Sequence, residues 1–340
     1  MFGSIALLVV SLGAILAAAE LFTNGIEWLG RRLKLGDGPV GSVLAAVGTA
    51  LPETMIPVVA LLDASDSHMH DDIGIGAILG APLMLSTLGF FITGLGVLVF
   101  TATKRRDAVM TADPKVIGRD LVSFVAAYAV AVSAAFVPYR EGRIAIAVAL
   151  CFLYGFYVRQ TFRHNHAGET GRDLPPLHLA KRLNVPRLRH VGLQVFCALL
   201  LMIGGAQLFV ARLTEIAEAT GVSALVLSLV LAPIATELPE KFNSVIWVRQ
   251  KKDTLALGNM TGAMVFQSSI PPVLGILCTD WVLSADALAA CVATLVASAF
   301  ALIEMTWRKR VSPYSLLSGA LVYIVYITYI LGNGPQPATH

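Results

Sequence analysis

Two short stretches set acids and prolines inside runs of Val, Leu, Ile and Ala: AVGTALPETMIP at 46–57 and APIATELPEKFN at 232–243. Both contain Thr-x-Leu-Pro-Glu, so Thr49 and Glu53 in the first answer Thr236 and Glu240 in the second. Proline has no N–H, so Pro52 leaves the carbonyl of Gly48 without its helical donor, and Pro239 does the same to Ala235. The spacing predicts a broken helix in each copy, with a free carbonyl one turn before the glutamate. A carboxylate in an apolar segment is costly unless something compensates its charge. Two carboxylates, two carbonyls, the hydroxyls of Thr49 and Thr236 and the amide of Gln267 form an all-oxygen donor set. That set suits a hard cation such as calcium and not zinc or copper.

The elements that must position these groups are membrane spans. Of 340 residues, 56% are apolar and 14% charged, and the mean hydropathy is +0.74, far from a soluble domain. Windows long enough to cross a bilayer fall at about 3–30, 38–63, 73–100, 120–138, 142–158, 190–211, 221–248, 254–278, 282–304 and 312–332. The opening MFGSIALLVVSLGAILAAAE lacks a basic leader and a small-residue cleavage site and reads as the first span. The expected fold is therefore an all-α membrane protein of ten transmembrane helices. Cys151, Cys197, Cys278 and Cys291 have no metal-ligand spacing and read as small buried hydrophobes. Nothing in the charge pattern indicates nucleic acid, and no Ser/His or His-Glu-x-x-His constellation at membrane depth indicates an enzyme. No cofactor is expected beyond the transported ions, and protein partners are not identified by the sequence.

Of the 25 Lys and Arg residues, 21 lie in alternate loops: Arg31 to Lys34, Lys104 to Arg119, Arg159 to Arg189, Arg249 to Lys252 and Arg308 to Arg310. By the positive-inside rule those loops are cytoplasmic and both termini lie outside. The longest of them, 159–189, is expected to be a flexible cytoplasmic linker.

The two motifs are each followed by a glycine-rich helix, GIGAILGAPLM at 74–84 and ALGNMTGAMVF at 256–266, in which Gly76 and Gly80 answer Gly258 and Gly262. The chain thus divides into a first five-helix repeat at 1–158 with its motif at 46–90, the linker at 159–189, and a second repeat at 190–340 with its motif at 228–277. Five helices per half is an odd number, so the second repeat enters the membrane inverted, an architecture that places a substrate site where the copies meet.

At this point the sequence resembles the cation/calcium exchanger superfamily, most closely its prokaryotic sodium/calcium exchanger branch. The family pattern, Gly-Thr-Ser-Leu-Pro-Glu followed by Gly-Asn-x-x-Gly-Ser-Asn-x-x-Asn/Asp, is matched by GTALPE with GAILGAPLML and by ATELPE with GNMTGAMVFQ. The resemblance implies ion ligation by Glu53 and Glu240 with Thr49 and Thr236. It also exposes departures. Ala50, Ala81 and Leu85 stand where the first repeat's family ligands would be, while Glu237, Ala263 and Gln267 stand at the matching positions of the second. Lys241 lies four residues after Glu237, a spacing at which a helix pairs acid with base. Glu53, Glu237, Glu240 and Lys241 together carry a charge of −2, which matches one divalent ion. The implied function is antiport of a divalent cation, calcium first, against protons or sodium, in a lipid bilayer, that of a prokaryotic inner membrane. The loss of first-repeat ligands keeps a second reading open, a scaffold that no longer transports and serves as a sensor or as a subunit of a membrane complex.

Overall fold

The computed structural model describes residues 2–32, 53–62, 68–164, 175–181, 183 and 186–332, whose regular elements are helices joined by short turns, with no strand among the described residues. In chain order the helices are α1 (Phe2–Arg32), α2 (Glu53–Leu62), α3 (His68–Met84), α4 (Phe90–Ala102), α5 (Pro114–Ser133), α6 (Arg140–His164), α7 (Leu188–Thr220), α8 (Ala224–Arg249), α9 (Asp253–Gln267), α10 (Ile270–Cys278), α11 (Ala285–Arg308) and α12 (Pro313–Gly332). Among the described residues, eight stretches are long and apolar enough to span a membrane, with α3 running into α4 and α9 into α10 as single spans. Helix α8 is 26 residues long and carries Glu237, Glu240 and Lys241 along its length. Only residues 53–62 of the expected span at 38–63 are described.

Local chemistry sets several ends. The Asp113 carboxylate accepts from the Lys115 amide with Pro114 in the first turn of α5, and the Ser284 hydroxyl accepts from the Ala287 amide at the start of α11. Gly221 closes α7 in the left-handed region at φ 70°. Three expectations are corrected. Helix α8 runs without interruption through Pro239, so that proline removes a donor without ending the helix. The polar stretch His68–Asp72, expected in a loop, forms the opening turns of α3. Of the cysteines, only Cys291 is buried; Cys151, Cys197 and Cys278 lie on the outer surface, where small apolar groups cost nothing against lipid.

The packing has two parts. Helices α1 and α7 lie chiefly on one another, with Gly205 of α7 against Ile15 and the Ser11 carbonyl, and Gly25 of α1 against Val195. The remaining spans share a large core that includes Phe90, Phe124, Tyr128, Met260, Met264 and Trp281. Apolar side chains also cover the outside, among them Phe152, Phe156, Leu200 and Trp307, as expected of a surface that meets hydrocarbon.

The end of the 159–189 segment is docked and not a free linker. The Trp28 indole donates to the Pro175 carbonyl at 2.9 Å, the Leu179 amide donates to the Gln194 side chain at 2.9 Å, and Gln194 donates to Asn24 at 2.9 Å. Leu177 is fully buried between Trp28 and Val191. Pro175–Ala180 is thereby fixed to both α1 and α7, while α6 extends into the start of the segment as far as His164.

Candidate functional site

Helices α3 and α8 approach more closely than side chains would allow. A Cβ on Gly76 would sit 2.5 Å from the Leu225 carbonyl oxygen, and one on Gly80 would overlap the Leu229 carbonyl and press on Pro233. The Ser228 hydroxyl, fully buried, donates to the Ile73 carbonyl at 2.6 Å across the same interface. The glycine pair of the first motif therefore serves to bring the first half's glycine-rich helix against the second half's Thr-x-Leu-Pro-Glu helix.

That contact fixes the heights of the candidate ligands. Leu61 of α2 packs on Gly74 of α3. Glu53 lies eight residues back along α2, about 12 Å at helical rise, which brings it level with Pro82 of α3. Met260 of α9 lies against Gly89, and Gln267, about 10 Å further along α9, also reaches the level of Pro82. Thr236 stands within one turn of that level on α8, beyond the Gly80–Pro233 contact. Glu53 is 8% exposed, and Thr236 and Gln267 are each 2% exposed. Counted by helical rise along straight helices, a buried carboxylate, hydroxyl and amide from three helices fall at about one height. Thr236 donates its proton to the Ala232 carbonyl at 3.0 Å, which leaves its oxygen lone pairs available.

Not every expected ligand can be placed. Gly48 and Thr49 lie outside the described residues, as do Ala50 and Pro52. For Ala235, Glu237, Glu240 and Lys241 the helical backbone is described and the side chains are not, so the expected Glu237–Lys241 pair is outside the description. Among the described residues no group of three or more His, Cys, Asp or Glu could hold a metal ion. Ala81 and Leu85 are buried and apolar at the same level, so the first half's glycine-rich helix supplies no polar side chain at those two positions. Glu20 of α1 is exposed and lies 3.6 Å from His178.

The interruptions of the glycine-rich helices were not legible in advance. A π-helical turn, Leu85–Gly89, separates α3 from α4, and a turn at Ser268–Ser269 separates α9 from α10. In the first, Ser86 and Thr87 both donate to the Leu83 carbonyl; in the second, Ser268 and Ser269 both donate to the Val265 carbonyl, at 3.0 and 2.8 Å. The same step along the chain separates Gly80 from Gly262, Leu83 from Val265 and Ser86 from Ser268. In each half a pair of hydroxyls donates to one carbonyl of the turn before the irregular backbone, a usual way of satisfying polar groups at a break at membrane depth. The available signal was the hydroxyl pair that follows Leu85 in one half and Gln267 in the other.

Two further polar clusters hold α9. At its start, Asp253 receives two bonds from Arg106, at 2.7 and 2.8 Å, and one from the Thr111 amide; both charged side chains are 1% exposed. Arg106 also donates to the carbonyls of Val248, Val109 and Asp107, so all of its N–H directions are used. Further along, Thr261 donates to Asp120 at 3.0 Å, and Arg119 donates to the same carboxylate at 2.8 Å while stacking over Tyr157. Neither partnership had a sequence signal, since the members lie more than a hundred residues apart.

The helical spans define a class, a polytopic all-helical membrane protein with polar side chains buried among its spans. Comparison with known proteins gives the family: residues 3–162 and 190–333 match the sodium/calcium exchanger protein family model, and the chain belongs to that family. It is 27% identical over 337 residues to the inner membrane protein YrbG of Escherichia coli, covering 96% of this chain and 97% of that one. Among solved structures it is similar in fold to the H+/Ca2+ exchanger CAX, with a TM-score of 0.74 at 17% identity over 98% of this chain and 87% of the other. The sodium-calcium exchanger NCX_Mj gives a TM-score of 0.58 at 18% identity, covering 96% and 98% of the two chains.

Proposed function

We propose that the chain is a secondary cation antiporter that carries a divalent ion, calcium in the first place, and exchanges it for protons by alternating access. The observation that carries this reading is the layer of Glu53, Thr236 and Gln267, three oxygen-bearing side chains withdrawn from solvent at one height. A carboxylate withdrawn from solvent among other oxygens is a group that a divalent ion or a proton can occupy in turn. Membership of the exchanger family and the likeness to a proton/calcium and a sodium/calcium exchanger support cation antiport. Protons are preferred to sodium because Ala81 and Leu85 remove oxygen donors that additional sodium ions would need. Glu240 completes the carboxylate pair, with Thr49 and the carbonyls of Gly48 and Ala235 as further donors and Glu237 held by Lys241.

The architecture that goes with this reading is ten spans in two inverted five-helix repeats. The matched hydroxyl pairs at Ser86–Thr87 and Ser268–Ser269 support it. The basic loops face the cytoplasm and both termini lie outside, in the plasma membrane of a prokaryotic cell. The apolar Ala81 and Leu85 favour a second reading, the non-transporting scaffold.

Calcium flux in reconstituted vesicles separates these readings. Uptake is expected under a pH gradient without sodium. Uptake only under a sodium gradient at symmetric pH would replace the counter-ion, and no flux under either gradient would favour the scaffold.

A further inference from the structure

Twelve Ser and Thr side chains are buried among the described residues. Eleven of their hydroxyls have a hydrogen-bond partner: Ser11, Ser86, Thr87, Thr93, Thr236, Ser268, Ser269, Thr294 and Ser298 donate to a carbonyl of their own helix segment, Ser228 to Ile73, and Thr261 to Asp120. Ser244 is the exception. It is 0% exposed, and its Oγ has no partner among the described residues. A buried hydroxyl left without a bond is destabilising, and back-bonding to the preceding turn normally relieves it within a helix.

Its position is specific. Thr236, Glu240, Ser244 and Val248 are spaced four residues apart on α8 and form one stripe. The stripe runs from the buried oxygen layer to the Val248 carbonyl, which Arg106 occupies while it is locked to Asp253. Gly80 lies against Leu229 and Pro233, and Gly96 against Val245 and Val248, so α3–α4 and α8 keep a constant register. By that register Ser244 stands level with Thr93, whose proton is given to the Gly89 carbonyl and whose oxygen keeps its lone pairs. The first motif has Pro57 where the second has Ser244, so this hydroxyl belongs to one half only.

We infer that Ser244 is an oxygen ligand at a second station for the divalent cation, one turn beyond Glu240 toward the Arg106–Asp253 pair. The inference rests on the proposed antiport and names a residue of its ion path. In the state described here the pair closes the far end of the stripe, so the station holds a cation that has left the main layer and has not yet reached the basic face. An oxygen there replaces part of the hydration shell that a hard cation gives up in a narrow passage.

The test uses calcium and cadmium with the four native cysteines replaced. Ser244→Ala is expected to raise the half-saturating calcium concentration for uptake about tenfold, the loss of one polar contact to a charged ion. Ser244→Thr, which keeps the oxygen, should stay within about twofold of the parent. Ser244→Cys exchanges a hard ligand for a soft one, and cadmium should then block calcium uptake at a concentration at least about tenfold lower than in the parent. Unchanged cadmium sensitivity of Ser244→Cys, or Ser244→Ala within about twofold of the parent, would overturn the assignment. If the parent itself carries no calcium the antiport reading fails, and equilibrium binding of radioactive cadmium to Ser244→Cys then decides the station separately.

Discussion

Glu53 and Arg106 show two ways in which this protein tolerates charge inside a bundle. Glu53 sits in a layer with Thr236 and Gln267, an arrangement of oxygens suited to a cation. Arg106 has every N–H direction taken by Asp253 and by carbonyls, so the pair is a structural lock with no capacity to spare. The outcomes of substitution should differ accordingly. Glu53→Gln removes the charge and keeps the shape, and is expected to lower calcium affinity by at least about a hundredfold with little change in unfolding temperature; calorimetric titration of the purified protein measures the first and a thermal scan the second. Arg106→Met leaves the Asp253 carboxylate buried without its partner and should destabilise the protein by about 3–5 kcal/mol in denaturant titrations in detergent, because an uncompensated buried charge costs more than the pair contributes. Removing both charges with Arg106→Met and Asp253→Leu together should cost less than Arg106→Met alone.

At the scale of elements, the decisive contact is that of α3 with α8. Without a hydrophobic drive between helices in lipid, close backbone approach at small residues determines which helices pair, and Gly76 and Gly80 provide it. Gly319 of α12 does the same against the carbonyl of Thr87, where a Cβ would come within 2.5 Å. Gly80→Leu or Gly319→Leu is therefore expected to abolish a folded, monodisperse species in size-exclusion chromatography. Gly13→Leu should be harmless, since nothing lies within 4 Å of the Cβ it adds. Equal behaviour of all three variants would show that the close approaches do not carry the packing. The π turn at Leu85–Gly89 and the turn at Ser268–Ser269 are the other element-scale feature, since each interrupts a span beside the buried layer. Irregular turns of this kind inside helices concentrate at functional sites.

At the scale of the whole molecule, α1 and α7 pack chiefly on one another, and Pro175–Ala180 ties their ends together through Asn24, Trp28 and Gln194. A strap that holds both helices at one end couples any movement of one to the other. Gln194→Leu breaks three of these bonds at once and is expected to slow calcium exchange several-fold while changing equilibrium affinity by less than about twofold, which flux and binding measured on the same preparation would separate. Orientation is also a property of the whole chain. A single cysteine placed at 165–174 in an otherwise Cys-free variant should react with an impermeant reagent only after the cell is opened. Labelling in intact cells would reverse the assignment of sides.

The sequence by itself determined the membrane class, nearly every span, the doubled Thr-x-Leu-Pro-Glu motif and the exchanger family. These follow from composition over windows of about twenty residues and from short motifs, both local properties of the chain. It misjudged Pro239, because a missing donor weakens a helix without dictating that it ends. It also misjudged three of the four cysteines, because an apolar run does not say whether a residue faces lipid or core. Only the tertiary structure decided that Glu53, Thr236 and Gln267 are all buried, that Arg106 meets Asp253, that Thr261 meets Asp120, and that the Ser244 hydroxyl has no partner among the described residues. Whether a buried polar group is satisfied depends on what a distant segment brings to it, and that is settled by how close the helices come at Gly76, Gly80 and Gly319.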